Sequence, residues 1–549
     1  MTPRTLTTLG LAAAVTVLGD CAPAQSAPAS VTPAVAAAST IDVRHYDFAI
    51  TLPDDGPVIR GVGTLSVAKG RGSATLPLDL LLPIDSVAVD GRIVTATPRD
   101  GGATVPLDGA GDSTRVTVWY HGAPQDGLII SRDPRGGWQA FGDNWPNRGR
   151  HWLPLVDRPG DKATVTWTID APAALTVVAN GTRTDSAARG ARTVWRWSEA
   201  HPIPTYVMVI AAARMIAATI PSERCLPGDG GACIEQRVYR AADVERVPAA
   251  FGEAPAIVGF YSSVVAPFPY ERLDHLESST RFGGMENATA IFYADGTFRR
   301  GTMGWPLIAH ETAHQWFGDA VTERDWPHLW LSEGFATYFA ELFGEHRFGA
   351  DTLVARMRTI RKEILADSRA VARRPVIDTI ETDPLALLNA NSYQKGGFVL
   401  HMARRLLGDS AFFGGVRRYW RAHRDGNATS DDLRRALEVS SGRELGWFFD
   451  QWLRRPGYPE LATEWSYDRQ GRRVYLEIAQ GPRFGSFRFP LVVEVTKADG
   501  TTARATVEVP AQPRSRVAVP LELDAPPSRV ALDPDADLLA AIDTPRQRQ

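Results

Sequence analysis

The hydrophobic period of the chain changes twice, and this constrains its architecture more than any other feature. Apolar residues recur at every second position from Ile41 to about Ala213. They run through Tyr46, Phe48, Ile50 and Leu52, then Leu76, Leu78, Leu80 and Leu82, then Val116, Val118 and Tyr120, then Val165, Trp167 and Ile169. Gly, Pro and Asp clusters separate these runs. A period of two with frequent turns predicts antiparallel strands, and so a β-sandwich or curved β domain. After about Ala241 the period lengthens. Residues 306–318 read as a helix with Pro306 in its first turn, where the missing N–H is not needed. Residues 331–343 read as a second. Asp351 is the expected N-cap of a third, which carries Leu353, Val354, Met357, Ile360 and Ile364 at helical spacing. Residues 396–424, 430–439 and 444–454 continue the helical block. Beyond Pro459 alternation returns in Val474, Leu476 and Ile478, in Phe487 and Phe489, in residues 491–495, and in Ala505, Val507 and Val509.

At 549 residues the chain is too long for one core. The expected fold class is multidomain α+β. Its parts are a signal segment and small-residue linker at 1–39, an N-terminal β domain at 40–215, a mainly helical catalytic domain at 216–457, a small C-terminal β-sandwich at 458–540, and a disordered tail at 541–549. Lys and Arg number 60 against 63 Asp and Glu, a net charge of -3. No field for nucleic acid or an anionic membrane follows, so neither is an expected partner.

The first residues read as a secretory signal: Arg4, an apolar run from Leu9 to Leu18, then small residues to about Ser39. The run is too short for a permanent membrane span, and no other segment is longer, so no transmembrane helix is expected in the mature chain. The expected location is exported: periplasmic, secreted, or lipid-anchored to the envelope. Cys21 stands where a lipoprotein cysteine would, although Asp20 before it is not the small residue such signals prefer; cleavage near Ala24 or Ala27 is the alternative. Cys225 and Cys233 flank a Gly-rich loop and read either as a disulfide suited to an oxidising compartment or as two free thiols.

The decisive segment is His310-Glu311-Thr312-Ala313-His314. Residues four apart share a helix face, so His310 and His314 can present two imidazoles to one zinc ion, with Glu311 beside them to hold a water. Zinc peptidases use three protein ligands and keep one position open. Glu333, in Trp330-Leu331-Ser332-Glu333-Gly334-Phe335, is the candidate third ligand. The eighteen residues between it and His314 suffice to turn the chain and bring a second helix against the first.

His310 to Asp319, reading HETAHQWFGD, together with WLSEGFATY, resembles the gluzincin aminopeptidases of the membrane alanyl aminopeptidase and leukotriene A4 hydrolase family. The spacing to Glu333 is that family's, whereas Ser332 replaces the more usual Asn. Gly283-Gly284-Met285-Glu286-Asn287 resembles the family's exopeptidase motif. The resemblance implies that the Gly-Gly strand pairs with substrate backbone and that Glu286 holds the free α-ammonium. Tyr393, in Asn391-Ser392-Tyr393-Gln394-Lys395-Gly396-Gly397, resembles the Tyr that stabilises the oxyanion. Arg150 to Pro154 through Asp157, Pro159 and Asp161-Lys162-Ala163 is similar to the N-terminal domain signature, and Asn180-Gly181 and Pro204-Thr205-Tyr206 fit as well. Gln139 is the candidate for a second amine contact, or else a surface glutamine.

The resemblance implies a saddle-like N-terminal β-sandwich, a thermolysin-like catalytic domain and a small C-terminal β-sandwich, without the large C-terminal helical domain of many members. It implies one Zn2+ per chain on His310, His314 and Glu333, with Glu311 as general base and Tyr393 as oxyanion donor. Gly283, Gly284, Met285, Glu286, Asn287 and Gln139 would then bind peptide substrates with free N-termini. Met285 and nearby aromatic side chains would shape the first side-chain pocket. Asp319, Glu323 and Asp325 could orient a ligand histidine or be solvated charges. The competing readings are an endopeptidase or a non-peptide hydrolase on the same zinc, and a non-catalytic scaffold.

Overall fold

A computed structural model describes residues 41–70, 74–107, 112–133, 136–300 and 303–548. The residues read as a signal segment, and Cys21 with them, lie outside the described residues.

The first block folds as sheets around one core. An eight-stranded sheet carries Tyr46, Phe48, Leu65, Val67, Val116, Val118, Val165 and Trp167 inward, each fully buried. A four-stranded sheet (Trp138–Gly142 among its strands) and a three-stranded one accompany it. One expectation fails here. The strands are not all antiparallel, because Ile41–Thr51 runs parallel to Lys162–Pro172 at the centre of the large sheet. Alternation reports burial of one face and is silent about strand direction. The long excursion between these two strands permits the crossover that a parallel pair needs.

The second block is not helical throughout. Residues 215–294 form a five-stranded sheet in the order Met215–Thr219, Glu235–Ala241, Arg272–Ser278, Ala290–Ala294, Gly284–Met285. Arg272–Ser278 hides from period counting because both its faces are buried, including Asp274, His275 and Glu277. The helix Ala254–Val264 lies in the chain between Glu235–Ala241 and Arg272–Ser278, and the other α-helices follow the sheet. Trp305–His314 and Trp330–Phe348 pack against each other. Ala350–Ala366 is capped by Gly349, so Asp351 sits inside the first turn, where its charge complements the helix dipole. The stretch expected as one helical run from Gly396 is broken at Gly408 into Gly396–Leu407 and Asp409–His423. Gly408 takes φ +79°, which favours glycine.

The third block is a two-sheet sandwich with Val474, Leu476, Ile478, Leu491, Val493 and Val495 between the sheets. The tail, expected to be disordered, is ordered: Ala541–Ile542 and Arg546–Gln547 both pair with Glu460–Asp468. A strand edge has free donors and acceptors that polar sequence can satisfy as well as apolar. Cys225 and Cys233 form a disulfide. No helix among the described residues is long and apolar enough to cross a membrane.

Candidate metal centre and active site

The helix Trp305–His314 ends on its two histidines, and the chain turns away through Gly318. Gly318 adopts φ +126°, and a Cβ there would stand 3.2 Å from His314 Nδ1 and 2.5 Å from Ser332 Oγ. The turn lets the helix Trp330–Phe348 lie alongside and deliver Glu333 from its first turn. His310 Nε2 and His314 Nε2 are 3.2 Å apart, and Glu333 Oε2 lies 3.3 and 3.4 Å from them. Glu333 Oε2 is buried and receives no hydrogen bond.

Two imidazole nitrogens and a carboxylate oxygen, all within 4.8 Å of one another and one of them an orphaned acceptor, fit a zinc ion with a fourth position left open. The distal nitrogen of His314 is fixed from behind. His314 Nδ1 lies 2.9 Å from Ser332 Oγ and 3.2 Å from the Phe317 carbonyl, and the Ser332 hydroxyl in turn points to that carbonyl at 3.4 Å. With Nε2 turned to a metal, Nδ1 carries the proton and donates it, the arrangement that holds a ligating imidazole in one tautomer. Ser332, where the sequence departs from the family's usual Asn, thus touches a ligand. Asp319, Glu323 and Asp325 do not take this role. Asp319 Oδ2 accepts from Gln315 Nε2 at 2.8 Å, both Glu323 carboxylate oxygens are buried without a hydrogen bond, and Asp325 faces His328.

Glu286, Glu311 and His314 form a second group with ligating atoms within 4.8 Å of one another. Burial pushes the Glu311 carboxyl well above the usual range; His314 opposes this, while Glu286 and Glu333 add to it. Burial likewise raises Glu286, to about 7, against the pull of His314 and with the help of Glu333. Three carboxyl groups turned toward one small volume favour cations there. Glu286 follows the edge strand Gly284–Met285, which pairs antiparallel with Tyr293 and Phe292 on its inner side. Among the described residues no strand pairs with its outer side. Gly284 is forced by packing, since a Cβ there would overlap the Glu311 carboxyl group; Gly283 faces open space. Met285 is buried beside Phe292. Asn287 is wholly buried, its side-chain Nδ2 and Oδ1 have no hydrogen-bond partner among the described residues, and its carbonyl closes the turn to Ala290 N at 2.9 Å.

Tyr393 sits in a π-helical turn, Asn391–Lys395, that leads into the helix Gly396–Leu407. Its ring stacks on His310 with centroids 6.0 Å apart, and its hydroxyl donates to Glu333 Oε1 at 2.9 Å. Burial, then the Glu333 charge, hold this phenol well above its ordinary pKa, so it remains a donor. Glycines set the turn's height. A Cβ on Gly334 would come within 2.9 Å of the Gly396 backbone, so the two helices cross almost in backbone contact. Gln139 is not drawn into the centre by any contact of its own: its amide nitrogen donates to Ser131 Oγ at 3.1 Å on the neighbouring strand. Phe141, on the same face of that strand, packs edge-on against Phe292, so Gln139 looks toward the sheet that ends in Gly284–Met285.

A β domain joined to a domain with an HExxH helix, a glutamate from the next helix and a glycine-rich edge strand is the arrangement of the gluzincin class. The family models agree. The Peptidase family M1 domain matches residues 251–452 and the Peptidase M1 N-terminal domain matches residues 131–207. The chain belongs to the M1 peptidase family. It is 28% identical over 341 residues to aminopeptidase M1 of Arabidopsis thaliana, covering 58% of this chain and 37% of that one. It is 26% identical over 461 residues to aminopeptidase N of Streptomyces lividans, covering 79% and 52%. Its fold is similar to that of Legionella pneumophila aminopeptidase A in complex with aspartic acid, with TM-score 0.81 at 18% identity over 93% of this chain and 60% of that chain. An M1 zinc metallopeptidase mutant from Deinococcus radiodurans matches with TM-score 0.66 at 25% identity over 75% of this chain and 94% of that chain. The chain spans about half, or less, of the length of these curated relatives.

Proposed function

We propose that this protein is a zinc-dependent aminopeptidase that hydrolyses the N-terminal peptide bond of peptides. The observation that carries the reading is the position of Glu286. One of its carboxylate oxygens stands within 4.8 Å of a Glu311 carboxylate oxygen and of a His314 ring nitrogen at the end of an edge strand, so an ammonium held there leaves room for only one residue before the metal ligands. Zinc held by His310 Nε2, His314 Nε2 and Glu333 supplies a Lewis acid that polarises the scissile carbonyl and brings the pKa of a coordinated water toward neutrality. Glu311 takes the proton of the attacking water and delivers it to the leaving amine. Glu286 pairs with the α-ammonium, and the Gly283-Gly284 backbone holds the substrate as an added strand. Tyr393 donates to the oxyanion. Its hydroxyl has a single proton, so this contact replaces the one to Glu333.

Tyr393→Phe is therefore expected to lower kcat by about 10²–10³-fold, with KM little changed and zinc retained, as steady-state kinetics and metal analysis would show. Unchanged kcat would remove Tyr393 from the reaction.

The reading as a whole is tested by hydrolysis of aminoacyl-coumarin substrates and their N-acetylated counterparts, with and without a zinc chelator. Chelator-sensitive release from free amines alone is the expected result. Cleavage of blocked substrates would make the enzyme an endopeptidase and leave Glu286 without its role. No cleavage by zinc-loaded protein would indicate a narrow or non-peptide substrate. We also propose export, on the strength of the Leu9–Leu18 apolar run after Arg4 and the Cys225–Cys233 disulfide. A lipid at Cys21 would appear as a mass increase on the N-terminal peptide.

A further inference from the structure

Three segments of the β domain have no part in the reaction outlined above: Asp161-Lys162-Ala163, Asn180-Gly181 and Pro204-Thr205-Tyr206. Their polar groups nevertheless converge on backbone directly behind the active centre. Lys162 Nζ donates to the carbonyls of Asp319, Ala320 and Gly426 at 2.8, 2.9 and 3.3 Å. The Tyr206 hydroxyl donates to the Gly318 carbonyl at 3.1 Å. Asn180 Nδ2 donates to the Ala288 carbonyl at 2.7 Å, and Gly181 N donates to Thr289 Oγ1 at 2.7 Å.

Apart from the one to Gly426, which opens the strand Gly426–Ala428, these contacts end on two short stretches. One is 317–320, which carries the Phe317 carbonyl facing His314 Nδ1 and the Gly318 backbone wedged beside Ser332. The other is 287–289, which immediately follows Glu286. Gln315 ties the two together. Its Nε2 donates to the Glu286 carbonyl at 2.9 Å and to Asp319 Oδ2 at 2.8 Å, and its Oε1 accepts from Thr289 N at 2.9 Å. A metal-ligating histidine and the amine-binding glutamate thus rest on one piece of backbone whose outer side is held from another domain.

A lysine in this place is costly. It is 8% exposed, no carboxylate among the described residues lies within ion-pair distance of it, and burial lowers its pKa to about 7 against the pull of Asp425, Asp319 and Glu323. A methionine would fill the same volume without desolvating an amine. The lysine's compensation is that three donors on one nitrogen can tie the carbonyls of Asp319 and Ala320, in the turn after the helix Trp305–His314, to that of Gly426 at the start of the strand Gly426–Ala428.

We propose, resting on the zinc aminopeptidase reading, that the N-terminal β domain is a clasp for the active centre. Lys162 and Tyr206 are positioning residues that fix 317–320 and through it the orientation of His314 toward the metal, while Asn180 steadies the segment behind Glu286. Groups that orient a metal's ligands are commonly worth 10–100-fold in metal affinity. A contact that merely glues two domains would change unfolding temperature and leave metal affinity alone.

The test is zinc affinity of the full chain, measured by competition with a chromophoric chelator, alongside thermal unfolding of the metal-free protein. The variants are Tyr206→Phe, Lys162→Met, Asn180→Ala and the control Lys69→Met, whose Nζ donates to the Leu107 carbonyl within the β domain. Tyr206→Phe is expected to weaken zinc binding about tenfold and Lys162→Met by more, toward the hundredfold end. Asn180→Ala should keep zinc affinity and raise KM for free-amine substrates, and Lys69→Met should change neither. Tyr206→Phe removes one oxygen from a retained ring, so it tests the clasp even if Lys162→Met does not fold. Wild-type zinc affinity in folded Tyr206→Phe overturns the clasp and leaves the zinc reading standing. A wild-type protein that binds no zinc overturns both.

Discussion

Glu311→Gln is expected to bind zinc as tightly as the wild type and to lose activity by about 10²–10⁴-fold, the usual worth of a positioned general base. The amide keeps the size of the carboxylate and its place on the helix, but cannot take a proton. His310, His314 and Glu333 are untouched, so metal content should be unchanged. The measurement is kcat/KM on a free-amine substrate with zinc quantified in the same sample. Full activity would mean that another group accepts the proton. The nearest candidate is Glu286, within 4.8 Å, so its amine-binding role would fall at the same time.

Gly284→Ala is expected to lower kcat/KM by roughly a hundredfold, the effect of displacing a catalytic group by about an ångström, with little change in thermal stability or zinc content. The new methyl would occupy the space of the Glu311 carboxyl group. The backbone cannot retreat, because Gly284 is held in register opposite Tyr293. The end of the Glu311 side chain therefore moves instead. Gly283→Ala is the comparison, since it keeps the backbone that holds substrate and adds its methyl away from Glu311. A Cβ there meets nothing within 4 Å, and Gly283 is not among the residues with positive φ, so its activity should stay within a few-fold of wild type. Equal activities of the two variants would show that the Glu311 carboxyl does not lie against the glycine strand during turnover.

The metal ligands were legible because their relation is local. Two histidines four apart on a helix face one way in any protein, and a glutamate on the following helix needs only a turn of sufficient length to reach them. The antiparallel expectation failed for Ile41–Thr51 because alternation records burial and carries no strand direction. The sheet of residues 215–294 was read past because Arg272–Ser278 buries charged and apolar residues alike, which erases the period. The role of Ser332 could not be read either. A serine in place of the family's usual asparagine looked neutral, and only the turn at Gly318, which brings it within 2.9 Å of His314 Nδ1, gives it work. Gln139 shows the reverse case: its neighbourhood resembles a substrate contact, while its own hydrogen bond is to Ser131.

The sequence by itself determined the class of chemistry, because HETAH and the later glutamate specify ligand types and spacing through helix geometry alone. It also determined the order of β, helical and β blocks, because hydrophobic period is a property of neighbouring residues. Tertiary structure decided what faces the ligands from behind. Lys162, Asn180 and Tyr206 stand more than a hundred residues from the backbone they hold, and nothing in a local pattern records a hydrogen bond between a side chain and a distant carbonyl. A carbonyl carries no residue identity, so only the folded chain shows which one a donor meets.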